Sequence, residues 1–158
     1  MIILDCETYT NYFLLSMLDT DSNKIKDFEL YDGQEFDSKT VAAILRKHTT
    51  LGFNSSNYDM PVIVAALRGD TNAQIKQLSD DIINAPKVWP VLKKHKIAIP
   101  QCFDHIDIMP IPIGQASLKI YGGRLHAPKM QDLPIEPNAL ISPFHRKTLR
   151  LYCHNDLE

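Results

Sequence analysis

The chain is expected to fold as a mixed α/β domain, and three features predict it. Apolar runs of strand length crowd the first third: "MIIL", "YFLLSML" and "DFELYD". Segments with helical spacing follow, interleaved with two more short apolar runs, "TTLGF" and "CFDHIDIM". At 158 residues, 44% hydrophobic and 23% charged, the chain has the size and composition of one globular domain with its own core.

Taken in order, "MIIL" reads as a short strand that ends at Asp5, followed by a turn at "ETYTN". "YFLLSML" and "DFELYD" suit an antiparallel continuation across a polar turn, "DTDSNK". "SKTVAAILRKH" places Ser38 as an N-cap ahead of apolar residues at 41, 44 and 45, so it reads as a helix. "TTLGF" is a fourth strand. Residues 60–95 divide into three helical pieces, "MPVIVAALRG", "NAQIKQLSDDII" and "PKVWPVLKKHK". "CFDHIDIM" is a fifth strand, "QASLKIYGGRL" a short helix weakened by its glycines, and "APKMQDLPIEP" a loop punctuated by proline. "SPFHRKTLRLYCHNDLE" opens with Ser142 as cap and Pro143 at the first helical position.

The longest apolar runs, such as "PVIVAAL", are far shorter than the roughly 20 residues of a membrane helix, and no signal peptide is evident. Cys6, Cys102 and Cys153 form an odd set with no C-x-x-C spacing, which suits a reduced, cytoplasmic setting. The net charge of −2 hides an asymmetry. Residues 1–40 carry nine acids against three lysines, whereas residues 87–158 carry ten Lys and Arg against six acids. A protein that coats a duplex is normally far more basic; one that grips a single strand end beside bound cations has no such need.

Four acids stand out. In a strand, Asp5 and Glu7 face the same way while Cys6 points into the opposite layer. Two adjacent carboxylates repel unless a cation sits between them. Asp59 comes where "LGFNSSNYDMPVI" passes from strand through loop to helix; read alone, it is a helix cap. Asn54 is placed to bridge that loop by hydrogen bonds. Tyr152 and Asp156, at i and i+4, share one face of the last helix, and Leu149 turns that face toward the core. Acids from the head, middle and tail of the chain suit hard divalent cations, Mg²⁺ or Mn²⁺, two of which can clamp a phosphodiester for in-line attack by water.

These motifs resemble the DnaQ-like, or DEDD, family of 3′–5′ exonucleases: Asp5-x-Glu7, then Asn54 through Tyr58-Asp59, then Tyr152-x-x-x-Asp156. Tyr152 matches the tyrosine subclass, whereas the position of the alternative histidine is Leu151 here. "ASLKIYGGRLHAPKMQDLP" is similar to a segment of phage-type family A DNA polymerases, so the likeness spans essentially the whole chain. It implies a ribonuclease-H-like fold with a five-stranded mixed sheet between helices. It also implies a proofreading domain at residues 1–158, cut from a longer chain whose polymerase domain follows, so that the last helix is expected to fray. In a phage-encoded protein the setting is the cytoplasm of the host.

By the same resemblance, Asp5, Glu7 and Asp156 hold one metal ion, Asp5 and Asp59 the second, and Tyr152 orients the attacking water. Phe53, Asn54 and Leu118 are candidates for gripping the terminal base and sugar of single-stranded DNA at its 3′ end. Lys87, Lys93, Lys94 and Lys96 are candidates for lining the backbone path, a solvated helix face being the alternative. Two other functions remain open on sequence alone: a stand-alone exonuclease acting on RNA or short oligonucleotides, and a catalytically inert nucleic-acid-binding module of the same fold.

Overall fold

The first strand runs on well past Asp5. In the computed structural model, which describes residues 1–109, 117–125 and 131–157, β1 spans Ile2–Tyr9 and β2 spans Tyr12–Asp19. Only Thr10 and Asn11 join them, so the turn expected at "ETYTN" shrinks to its last two residues. The antiparallel ladder continues through Glu7 opposite Leu14 to Tyr9 opposite Tyr12, and each added pair satisfies backbone groups that a wider turn leaves open. The same reason starts β3, Lys24–Leu30, three residues before "DFELYD": pairing persists to Lys24 opposite Asp19. Asn23, at φ 54°, closes that turn in the left-handed region that asparagine tolerates.

β4 (Thr50–Gly52) and β5 (His105–Asp107) are shorter than expected, three residues each, and both run parallel to their neighbours. The strand order is β3-β2-β1-β4-β5. A five-stranded mixed α/β sheet in this order, flanked by helices, is the arrangement expected of a ribonuclease-H-like fold.

Six helices accompany it among the described residues: α1 (Ser38–Lys47), α2 (Asp59–Arg68), α3 (Asn72–Asn84), α4 (Val88–Lys94), α5 (Leu118–Arg124) and α6 (Pro143–Asp156). Ser38 is not the cap of α1. Asp37 takes that place, its carboxylate accepting from the Thr40 backbone N–H at 3.1 Å, because an ionised acceptor suits the positive end of a helix better than a hydroxyl. Ser142 caps α6 as expected, with Pro143 in the first turn. That helix extends through Asp156, and Leu157 behind it is buried. The expected helical start at residues 115–116 and the loop residues 127–130 lie outside the described residues.

β2 is buried on both faces, which is why "YFLLSML" reads as a continuous apolar run. Its alternate residues serve two cores. Phe13, Leu15 and Met17 join Leu4, Cys6 and residues of α1, α2 and α3 on one face. Tyr12 and Leu14 join Tyr9, Leu149 and Cys153 on the other, where α6 packs. Among the described residues, no helix is long and apolar enough to cross a membrane.

Candidate active site

The pleat of β1 sorts its residues between the two cores. Leu4, Cys6 and Thr8 face the α2–α3 side, so Asp5 and Glu7 emerge together toward α6. The extension of β1 beyond its expected end holds both acids on a strand paired with β2, Asp5 opposite Ser16 and Glu7 opposite Leu14, rather than in a turn.

Asp59 is brought in by the loop between β4 and α2. Gly52 ends the strand where a Cβ would lie 2.6 Å from the Cβ and Oγ of Ser55, so only glycine lets the loop fold back this tightly. Ser55 is fully buried and bonds His105 Nε2 at 2.7 Å, while Thr50 bonds His105 Nδ1 at 2.8 Å. Asn54, at φ 55°, accepts from Asn57 at both its backbone and its side-chain oxygen. The bridging expected of Asn54 is thus local to its own turn. Tyr58 Oη closes a triangle with Thr8 Oγ1 (2.7 Å) and Ser79 Oγ (2.8 Å), tying the loop to β1 and α3. Tyr58, not Asp59, is the N-cap of α2; Asp59 is its first residue, buried, with its carboxylate against the Cys6 thiol. Replacing Gly52 by Ala is expected to cost about 1–3 kcal/mol of stability in urea unfolding, since Ser55 has no room to retreat.

α6 supplies the remaining pair. Arg150 reaches Glu29 (3.4 Å) and His154 reaches Asp27 (2.8 Å), both on β3, while Leu149 and Cys153 fill the core beneath. These anchors turn Tyr152 and Asp156 toward β1. Cys153 and His154, adjacent in sequence, serve different partners: the Cys153 Sγ–H donates to Asp5 Oδ2 at 3.2 Å. Tyr152 is buried to 7% exposure.

Electrostatics shows that the four acids share one neighbourhood. Burial pushes the Asp5 carboxyl up to about 7, with the charge of Asp156 adding to it and the Cys153 thiol opposing. Glu7 rises well above the usual carboxylate range through burial, then through Asp5, Asp156 and Asp59. Asp59 rises well above it through burial and then Asp5. Asp156 is raised by burial, while bonds from Tyr152 and Asn155 and the charge of Lys119 pull the other way. Burial and the charges of Asp156 and Glu7 drive the Tyr152 phenol far above its ordinary value, so it keeps its proton at any working pH.

All four side chains offer carboxylate oxygens, the donor type that hard divalent cations such as Mg²⁺ and Mn²⁺ take. Among the described residues, no three His, Cys, Asp or Glu side chains stand as a group ready to hold a metal ion. Of the four acids, Asp59 is buried and Asp5, Glu7 and Asp156 are half-buried, and Asp5, Asp156 and Asp59 all lie near enough to raise the Glu7 carboxyl. Asn155 Oδ1, buried with no partner beside Asp156, offers one more oxygen.

Of the expected substrate contacts, Phe53 packs on Tyr121 (ring centroids 6.0 Å apart) and Leu118 is the half-buried first residue of α5. Lys94 is tied to Asp81 at 2.7 Å and Lys93 lies over the exposed Trp89 ring, so both are engaged on the α3–α4 surface. Sequence reasoning passed over Cys153, which bonds Asp5, and Lys119, whose Nζ lies 5.8 Å from the centroid of the Tyr152 ring. The signal for Cys153 was its place beside Tyr152 on a helix packed against β1. Lys119 gave none. Comparisons with protein families, with characterised proteins and with solved structures find no match for this chain.

Proposed function

We propose that the chain is a metal-dependent 3′–5′ exonuclease that removes the terminal nucleotide from the 3′ end of single-stranded DNA, as the editing domain of a DNA polymerase. The reading is carried by the proximity of acids from three distant parts of the chain: Asp5, Asp59 and Asp156 all lie near enough to Glu7 for their charges to raise its carboxyl. The motif resemblance supplies the substrate class and the polymerase partner.

Two divalent ions, Mg²⁺ or Mn²⁺, would when bound make a water ionise near neutral pH and would offset charge on the departing 3′ oxygen. The four carboxylates would hold the ions, Asp5 and Glu7 from β1 and Asp59 and Asp156 from α2 and α6. Tyr152 does not act as a base, because its proton is held too tightly. Its one O–H, which donates to Asp156 in the strand-free chain, would turn to orient the attacking water. The hydrolysed ester releases a 5′-mononucleotide and leaves a new 3′-hydroxyl on the strand.

Trimming of a 5′-labelled single strand in Mn²⁺ tests the reading. The wild type is expected to shorten it stepwise, Asp156→Ala to lose about 10³-fold or more in rate, and Tyr152→Phe about 10²-fold. Equal trimming by Asp156→Ala would contradict it, and a preference for a matched RNA strand would transfer the activity to RNA. A second reading, an inert strand-binding module, draws on the lack of a ready-made metal-holding group among the described residues. It requires binding without any shortening.

A further inference from the structure

α5 lies beside the acidic cluster with no buried residue of its own. Lys119 and Tyr121 leave this helix about 200° apart. Tyr121 packs on Phe53, in the loop that leads to Asp59, and Lys119 sits over the Tyr152 ring on α6. The helix therefore stands between two walls of the site and presents a cation to it. The charge of Lys119 reaches Glu7 and Asp156. Its ion-pair partner is Asp132, 3.2 Å away on a fully exposed carboxylate. A pair with one member in open solvent contributes little and is readily exchanged for another anion.

We propose that Lys119 is the phosphate-binding residue of this site: when a strand enters, its ammonium leaves Asp132 and takes a non-bridging oxygen of the 3′-terminal phosphodiester beside Tyr152. This rests on the nucleolytic reading above and adds the group that grips the reacting unit. Two divalent cations at most neutralise four carboxylates, so the cluster as a whole carries no positive charge to draw in a negative strand. A further cation is needed, and Lys119 is placed over the tyrosine that faces the same spot. A lysine suits the task as a mobile point charge on a long stem.

The experiment is fluorescence anisotropy with a 5′-labelled oligothymidylate, in Ca²⁺ in place of Mg²⁺, over a series of salt concentrations. Lys119→Met is expected to weaken binding about 10-fold and to reduce the slope of log affinity against log salt by about 0.7, the loss of one single-strand phosphate contact. Lys119→Arg should retain the slope. Asp132→Asn should bind as tightly as the wild type or tighter, since it frees the ammonium. Unchanged affinity and slope in Lys119→Met would overturn the assignment. So would an equal loss in Asp132→Asn, which would make the pair a mere tether for α5. A wild type that binds the strand yet leaves it intact in Mn²⁺ removes the nuclease reading alone, and the slopes still decide on Lys119. A wild type that binds no strand removes both.

Discussion

Asp5→Asn is expected to melt higher than the wild type in EDTA at pH 8 while losing strand hydrolysis by about 10³-fold or more. The two effects have one origin. Asp5 is held between β1 and α6 where burial opposes its charge, with Asp156 adding repulsion. An amide of the same shape keeps the Cys153 thiol as a donor and removes the buried charge. Raising the pKa from 3.8 to about 7 corresponds to a penalty on the order of 4 kcal/mol for the ionised form. Even half of that, in a domain of this size, raises Tm by about 5 °C. Differential scanning calorimetry with a parallel trimming assay checks both halves. A variant that melts lower and still hydrolyses would mean that Asp5 is an ordinary structural carboxylate.

The second large effect is the response of the metal-free protein to pH. A carboxyl whose folded pKa lies above its unfolded one binds protons more tightly when folded, so its contribution favours folding at low pH and fades as pH rises. For Asp5 that window runs from about 4 to about 7. Glu7, Asp59 and Asp156 are shifted in the same direction and deepen the loss. Urea unfolding in EDTA should therefore show stability falling on the order of 4 kcal/mol or more between pH 4 and pH 8. Millimolar Mn²⁺ at pH 8 should restore most of it, because a ligand that binds only the folded state adds stability in proportion to the logarithm of its concentration over its dissociation constant. A flat pH profile, or no gain from Mn²⁺, would mean that the acids are solvated and independent.

The parts of this fold legible in the sequence were those written in local patterns. The helix start at Ser142 follows from its capping residue, and β2 from its unbroken apolar run. The true end of β1 was not legible, because "CETY" has no strand signature of its own. It is a strand because β2 pairs with it through Tyr9. Short parallel strands such as β4 and β5 likewise take their length from neighbours. The candidate site was legible as motifs, since Asp5, Glu7, Asp59, Tyr152 and Asp156 all lie in recognisable spacings. Its supports were not. The Ser55–His105–Thr50 chain, the Thr8–Tyr58–Ser79 triangle and the Arg150 and His154 anchors to β3 each join residues far apart in sequence, and nothing local marks such pairs.

The measurement that bears most directly on the account is a calorimetric titration of the wild-type chain with Mn²⁺ at pH 7, where Asp5 is partly protonated. Saturable binding with release of protons to the buffer is expected, abolished or much weakened in both Asp5→Ala and Asp156→Ala although these residues lie at opposite ends of the chain. Absence of binding, or binding that survives both substitutions, would contradict a single cation-holding cluster built from the head, middle and tail of this sequence.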